Sequence, residues 1–148
     1  MTSSAFPRLF TVNEANALIP TLRPLLDRIS ENLETLRARS EAVIRRDGLN
    51  PDTPDLMNRL QQDEEIAGLV QQIKRYVDEI HSYGCVCKGV EHGLVDFPCQ
   101  FAGEIVFLCW QRREESIGYW HQIEDGFAGR RPLLDPGETG STGTGSCH

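Results

Sequence analysis

The spacing of apolar residues divides the chain into a helical first half and a β-type second half. In the first stretch, apolar residues recur three, four or seven positions apart, which is typical of an amphipathic helix. They are Leu18, Leu22, Leu25, Ile29, Leu33, Leu36 and Val43. Thr11 and Glu14 have the S/T-x-x-E spacing of a capping box, so the helix should begin there. Pro20 and Pro24 each remove a ladder hydrogen bond. We therefore expect a kinked or separately capped start and a straight portion from about Pro24.

A second apolar stripe follows a turn-forming stretch. Residues 47–54, DGLNPDTP, contain a glycine, two prolines and cap-forming side chains, which favour a turn between helices. The residues of the second stripe are Leu56, Leu60, Ile66, Val70, Ile73, Val77 and Ile80. It ends at Gly84, which can adopt a left-handed cap conformation. The pattern predicts two helices of roughly thirty residues each, packed antiparallel as a hairpin like a short coiled coil.

After Gly84 the pattern changes to aromatic and β-branched residues between turn signals, which indicates strands. The predicted strands cover residues 85–90, 94–101, 104–111 and 116–122. Because Pro98 cannot donate to a ladder, the second strand should lie at an edge or be interrupted there.

A turn over residues 112–115 would fix the pairing of the last two strands. In that register Trp110 lies opposite Ile117 and Val106 lies opposite His121. Both faces of the sheet would then be largely apolar, whereas a sheet covered by one helical layer should have one solvated face. We therefore expect a cover for the second face. It could be the segment after residue 122, a fold-back of the helix start, or a second subunit.

These patterns predict an α+β protein, with a long antiparallel helical hairpin followed by a small antiparallel β-sheet. Residues 1–10 would be an N-terminal extension, and residues 11–135 a single domain. That domain divides into a hairpin (11–84) and a β subdomain (85–135). Residues 136–148, PGETGSTGTGSCH, have almost no apolar content, which predicts a disordered tail.

Composition and charge limit the class of protein, its expected location and its partners. The 39% hydrophobic and 25% charged residues are ordinary for a globular protein. The chain starts without the apolar run of a secretory signal, and it lacks the stretch of about 20 apolar residues that a membrane helix needs. We therefore expect a cytoplasmic protein without a membrane partner, whose five cysteines are reduced. The net charge of −7 opposes binding to nucleic acid.

Several motifs in order resemble those of an uncharacterised bacterial family, domain of unknown function 2203. They are FTVNEANALIP (10–20), GLVDFP (93–98), LCW (108–110), YWH (119–121) and GFAGRRPL (126–133). The resemblance implies a helical hairpin with a C-terminal β segment, and it implies no activity. The residues that match it one by one are Asp96, Trp110, Trp120, His121, Gly126, Phe127, Gly129 and Arg130. Cys85, Cys87 and Cys99 do not match, which argues against a cysteine metal site throughout the family.

One set of polar residues could support chemistry: Asp96, His121, Glu124 and Asp125, with Arg130 in the GFAGRRPL segment. A carboxylate in an apolar strand, such as Asp96, must be paired, hydrogen-bonded or protonated. Histidine with carboxylates can bind a divalent metal or act in acid-base catalysis. In the structural alternative, Asp96 caps a turn or pairs with Arg130 or Arg131. In either case we expect Asp96, His121 and one of these arginines to belong to one network.

The cysteines give a second candidate. Cys85 and Cys87 would lie on one side of a strand, and Cys99, Cys109 or His92 could complete a tetrahedral zinc site. In the alternative interpretation they are small core residues.

Two functional hypotheses follow. The first is a non-enzymatic self-associating module, a homo-oligomer that uses the hairpin stripe or the second sheet face. The alternative is a protein that binds a small molecule or a divalent metal, with or without enzymatic activity, around Asp96, His121, Glu124 and Arg130. A pocket where these side chains converge would favour the second hypothesis, and a flat apolar surface would favour the first.

Overall fold

The computed structural model describes residues 6–133 and begins with one long helix. Helix α1 spans Val12–Asp47, 36 residues. The predicted capping box is confirmed, because Thr11 Oγ1 accepts from the Glu14 amide and Glu14 Oε1 accepts from the Thr11 amide, both at 3.0 Å. The helix ends at Gly48, whose φ of 64° is the left-handed cap conformation.

The expected break near the prolines is not present. Helix α1 runs continuously through Pro20 and Pro24. Both prolines are exposed, whereas Ile19 and Leu22 beside them are buried. The carbonyl groups that lose a helical partner therefore face away from the core, where water can satisfy them.

The return arm of the hairpin is divided into α2 (Leu56–Leu60) and α3 (Glu64–Ser82), where one helix was predicted. Asp63 is the reason for the division. Its carboxylate accepts from the Ile66 amide at 3.1 Å and caps α3, and it also pairs with Arg39 of α1 at 2.8 Å. Farther along, Asn32 of α1 bonds Gln72 of α3, so the two arms run antiparallel as predicted. No helix in residues 6–133 is long and apolar enough to cross a membrane.

The sheet is an antiparallel meander of five strands in the order β1-β2-β3-β4-β5. The strands are β1 (Val86–Gly89), β2 (Leu94–Phe101), β3 (Glu104–Gln111), β4 (Tyr119–Gln122) and β5 (Arg131–Pro132). The bounds predicted for β2 and β3 are confirmed. Strand β4 begins three residues later than predicted, and β5 was not predicted. The α+β class is confirmed.

Pro98 lies inside β2, which is neither an edge strand nor interrupted. The pairing of β1 with β2 reaches only Asp96, so β1 does not extend beside Pro98. There the Pro98 carbonyl accepts from the Phe10 amide at 2.7 Å. Because the N and O of a strand residue point to the same side, the missing amide of Pro98 faces a position without a strand partner, and no ladder bond is lost.

The helices cover one face of the sheet. The buried residues of this face are Val95, Phe97, Cys99, Val106, Leu108 and Trp110. They pack with Phe10 and with apolar residues of the hairpin, including Leu26, Ile29 and Ile80. This is the main core, and it fixes the position of β2 and β3.

The register of β4 differs from the prediction by one residue. His121 lies opposite Phe107, where Val106 was expected. The reason is that residues 112–118 form a longer loop tied to α1. Arg23 donates to the carbonyl groups of this loop, and Asn16 Oδ1 accepts from an amide of the loop at 2.8 Å. A one-residue shift exchanges the faces of a strand, so His121 points away from the main core.

Parts of the same chain cover this second face. The ring of Phe6 stacks edge-on against Phe107 at 5.4 Å, and the Lys88 ammonium lies 5.1 Å from the Phe107 ring centroid. A 3₁₀ turn, Phe127–Gly129, and Arg130 lie over the β3–β4 side. The segment after residue 122, one of the three expected covers, thus occupies part of this face.

Candidate functional site

Three side chains of types that can bind a metal ion converge on the second face of the sheet. Asp96 of β2 lies opposite Cys109 of β3, and His121 of β4 lies opposite Phe107, two residues from Cys109 on β3. One ligand atom from each side chain lies within 4.8 Å of the others. Their relative exposures are only 2%, 1% and 3%, so the three groups meet out of bulk solvent.

The hydrogen bonds orient the imidazole ring of His121. Its Nδ1 lies 2.8 Å from the Gln122 carbonyl oxygen, and its Nε2 lies 3.1 Å from Asp96 Oδ2. Because a carbonyl only accepts, Nδ1 must carry a hydrogen. The contact between Nε2 and the carboxyl group then needs one shared proton. Nε2 is therefore the ring atom that turns toward Asp96 and Cys109.

Burial raises the pKa of two of the three groups, Asp96 and Cys109. Desolvation raises the pKa of Asp96, although nearby His121 and Lys88 oppose this effect. Desolvation and the Asp96 charge raise the pKa of the Cys109 thiol to about 12. Cys109 therefore stays protonated near neutral pH and bonds to Asp96, so it is not an activated nucleophile.

A cavity of about 230 Å³ opens beside the three side chains. It is lined by Lys88, Leu94, Asp96, Cys109, His121, Asp125, Gly126 and Phe127. Asp125 belongs to the turn that follows β4, and its amide donates to the Gln122 carbonyl at 3.0 Å. The same carbonyl oxygen accepts from the His121 ring. One backbone oxygen thus positions both the imidazole and the turn that bears Asp125.

Arg130 joins this site to the neighbouring loop. Its guanidinium donates to the Cys109 carbonyl at 3.2 Å and to both Glu114 carboxylate oxygens at 2.8 Å. It lies between the rings of Tyr119 and Phe127, at 4.0 and 4.5 Å from their centroids. The predicted network is confirmed, with Cys109 linking Arg130 to Asp96 and His121. The network does not form through the expected pairing of Asp96 with an arginine.

The other candidate residues lie elsewhere. Glu124 is exposed and does not line the cavity. Cys87 and Cys99 face the helices, on the opposite side of the sheet from Cys109, and Cys85 bonds the Ile80 carbonyl at the end of α3. The structure therefore does not bring Cys85, Cys87, Cys99 and Cys109 together.

Thiol state differs among these cysteines. Cys85, Cys87 and Cys109 are free, whereas Cys99 is disulfide-bonded. The prediction that all five cysteines are reduced is therefore wrong for Cys99. The set of Asp96, Cys109 and His121 was missed as a unit, because Cys109 had been grouped with the other cysteines. The two-residue turn at Ala102 and Gly103 could have revealed it, since that turn alone places Asp96 opposite Cys109.

Comparison with known proteins gives one finding. The sequence model of a family described as "Uncharacterized conserved protein (DUF2203)" matches residues 8–133. No curated protein and no solved structure matches the chain. Because the match covers most of the sequence and includes every residue of the site, the protein belongs to the DUF2203 family.

Proposed function

We propose that this protein binds a divalent transition-metal ion, with zinc as the best fit, through Asp96, Cys109 and His121. One observation supports the proposal above all. A carboxylate, a thiol and an imidazole converge at one buried point, with their ligand atoms within 4.8 Å of one another.

One ligand–ligand distance and the orientation of the His121 ring fit a zinc ion. Nitrogen and oxygen ligands about 2.0 to 2.1 Å from a tetrahedral ion lie roughly 3.3 Å from each other. His121 Nε2 and Asp96 Oδ2 are 3.1 Å apart. A metal-binding histidine usually donates its other ring hydrogen to a carbonyl or carboxylate, as His121 Nδ1 does to Gln122. Nε2 is then free to bind the ion.

The charges also suit a divalent ion. Metal binding would displace the proton shared by Asp96 and His121 and the thiol proton of Cys109, because ligands bind in their deprotonated forms. The resulting carboxylate and thiolate balance the two charges of the ion. Thiolate and imidazole ligands favour zinc, whereas magnesium and calcium prefer oxygen ligands.

Self-association, the other hypothesis, stays a prediction. It was motivated by a second apolar sheet face, and parts of the same chain lie over that face. The cavity beside Asp96 and His121 is the kind of feature that we expected to favour ligand binding. Cytoplasmic location and the lack of a nucleic-acid partner also stay predictions. Light scattering at micromolar concentration would test the oligomeric state.

Zinc binding is tested by metal analysis of protein purified without chelators, followed by competition titration with a chromophoric chelator. We expect D96N, C109S and H121N each to weaken zinc binding by at least about 100-fold, since even partners that only orient ligands contribute 10- to 100-fold. There are two matched controls. C87S replaces a free cysteine on the opposite face of the sheet, and E124Q replaces an exposed carboxylate in the turn that follows β4. Both should bind zinc like the wild type.

Cobalt substitution identifies the ligands. A cobalt ion bound by Cys109 gives a thiolate-to-metal charge-transfer band, which C109S should abolish and C87S should retain. Wild-type protein that does not bind zinc, or three ligand variants that bind it as tightly as the controls, would contradict the proposal.

A further inference from the structure

We propose that the metal site is hydrolytic. Asp125 accepts the proton of a water molecule at the fourth coordination position, and Lys88 faces the negative charge of a small ester or amide substrate. This inference rests on the proposed metal site. Three protein ligands leave one position of a tetrahedral zinc ion open, which is the arrangement of catalytic rather than structural zinc sites. Here all three proposed ligands line the 230 Å³ cavity, which would give a bound ion access to water and substrate.

Asp125 is placed to act on bound water rather than to bind the ion. Asp125 is an exposed residue that lines the cavity, and it is not part of the group whose ligand atoms lie within 4.8 Å. A carboxylate beyond direct ligand distance can reach the ion through one water molecule, as a general base does.

The backbone holds Asp125 in that place. Its amide bonds the Gln122 carbonyl that also orients His121. Its side chain packs against Gly129, where an added Cβ would come within 2.8 Å of Asp125 Cβ and 3.3 Å of Oδ2. Gly129 thus leaves the room that the Asp125 side chain occupies. The metal ligand and the base are positioned relative to each other through a single peptide oxygen.

Lys88 is the cationic residue among those that line the cavity. It lies at the irregularity in the β1–β2 pairing between Cys87 and Gly89. Its ammonium lies over the Phe107 ring, and its charge lowers the pKa of the Asp96 carboxyl. The cavity has room for about seven or eight water volumes at roughly 30 Å³ each. A small molecule with one carboxylate fits this space and this charge.

The proposed step balances as a hydrolysis. The water at the fourth position transfers a proton to the Asp125 carboxylate, and its oxygen forms a bond to the carbonyl carbon of the substrate. The carbonyl oxygen gains the electron pair and the metal ion stabilises its charge. When the tetrahedral intermediate collapses, the bond from carbon to the leaving oxygen or nitrogen breaks. The proton on Asp125 goes to that leaving atom, and an acid is released.

The test compares two esters on zinc-loaded protein: mono-4-nitrophenyl succinate, which has a carboxylate, and 4-nitrophenyl acetate, which does not. We expect the succinate ester to be the better substrate. D125N should lower kcat on it by at least about 100-fold, the lower end of what a general base contributes. K88M should raise KM for the succinate ester about 10-fold, as expected from one charge-assisted hydrogen bond, and should change KM for the acetate ester much less.

Two further measurements separate this inference from the proposed function. D125N and K88M should still bind zinc, and the control E124Q should bind it like the wild type. In the cobalt-substituted protein, added acetate should change the visible spectrum by replacing water at the open position, and K88M should weaken that change.

Absence of zinc binding by the wild type would refute the metal site itself. Zinc-loaded wild type that hydrolyses neither ester would overturn the hydrolytic inference alone. An unchanged kcat in D125N, or a cobalt spectrum that acetate does not alter, would also overturn the hydrolytic inference.

Discussion

Two buried or partly buried aspartates, one at each end of the molecule, behave in opposite ways. At the far end of the hairpin, Asp63 receives two hydrogen bonds from Arg39, at 2.8 and 3.1 Å, and these hold its pKa at about 2. On the sheet, desolvation raises the pKa of Asp96, whose partners are an imidazole and a thiol. The same side chain is stabilised as an anion in one place and penalised as an anion in the other.

The difference separates a structural carboxylate from a candidate ligand. Asp63 caps α3 and joins it to α1, and its charge is already matched. A hollow of about 610 Å³ lies beside it, larger than the cavity near Asp96. Its charged lining is largely paired, since Arg39 pairs with Asp63 and Arg46 with Asp47. Asp96 has no arginine partner of this kind, and its partners are the imidazole of His121 and the thiol of Cys109. The chemistry of the partners, rather than the size of a hollow, identifies the candidate site.

The largest expected effect is stabilisation by zinc. At 100 times Kd, a ligand that binds only the folded state adds about 2.7 kcal/mol to the free energy of unfolding. For a chain of this size the Tm should rise by on the order of 10 °C. Calorimetry should show this rise in the wild type and in D63N, and not in D96N. A rise that depends on Asp63 would remove the distinction between the two aspartates.

The next effect concerns the metal-free protein. D96A leaves the buried His121 Nε2 and the Cys109 thiol without their partner, which should cost about 1 to 3 kcal/mol. The double variant D96L/H121L removes both polar partners and should lie within about 1 kcal/mol of the wild type, because replacing a buried polar pair by apolar groups is often nearly neutral. Urea unfolding with a chelator present measures both. A double variant much less stable than D96A would show that the pair serves stability.

The pH dependence should have opposite signs at the two positions. A lowered pKa stabilises the fold above the pKa of the unfolded chain, so the advantage of wild type over D63N should disappear as the pH falls from about 4 to about 2. A raised pKa acts the other way. In the metal-free protein, D96N should gain stability relative to wild type as the pH rises above about 4. Urea unfolding across this range checks both, and parallel curves for the two variants would contradict the assignment.

The smallest effect is that of salt. At about 1 M salt the screening length is roughly 3 Å, so the ion pair of Asp63 with the partly exposed Arg39 should weaken. The stability difference between wild type and D63N should therefore shrink in high salt. The difference between wild type and D96A should change less, because buried pairs are screened less. Chemical unfolding at low and high salt would reveal an equal response if this reasoning failed.

Local signals predicted the elements well. The capping box at Thr11 marked the start of α1, and aromatic and β-branched residues between turn signals marked β2 and β3. The division between α2 and α3 was missed because it depends on Asp63 meeting Arg39, 24 residues away in the chain. Helix α1 continues through Pro20 and Pro24 because both prolines lie on its exposed side. The local cost of a proline does not predict this.

The site was predicted only in part, because local signals marked two of its residues and tertiary contacts determine the rest. Asp96 and His121 stood out because each is a polar residue in apolar surroundings. The expected register would have placed His121 opposite Val106, on the face that the helices cover. The contacts of Arg23 and Asn16 with the loop after β3 help to set the pairing that brings His121 to Cys109 and Asp96. These are tertiary contacts that spacing along the chain cannot show.

That loop has a consequence for how the site assembles during folding. The meander pairs neighbours in sequence, so β2 and β3 can associate early through a two-residue turn, since contacts close in the chain form with little loss of entropy. The register of β4 instead waits for the loop to dock on α1. A chain whose sheet has formed without its first helix would be free to slip by one residue. Asp96, Cys109 and His121 therefore come together only after the sheet has packed against the helical hairpin.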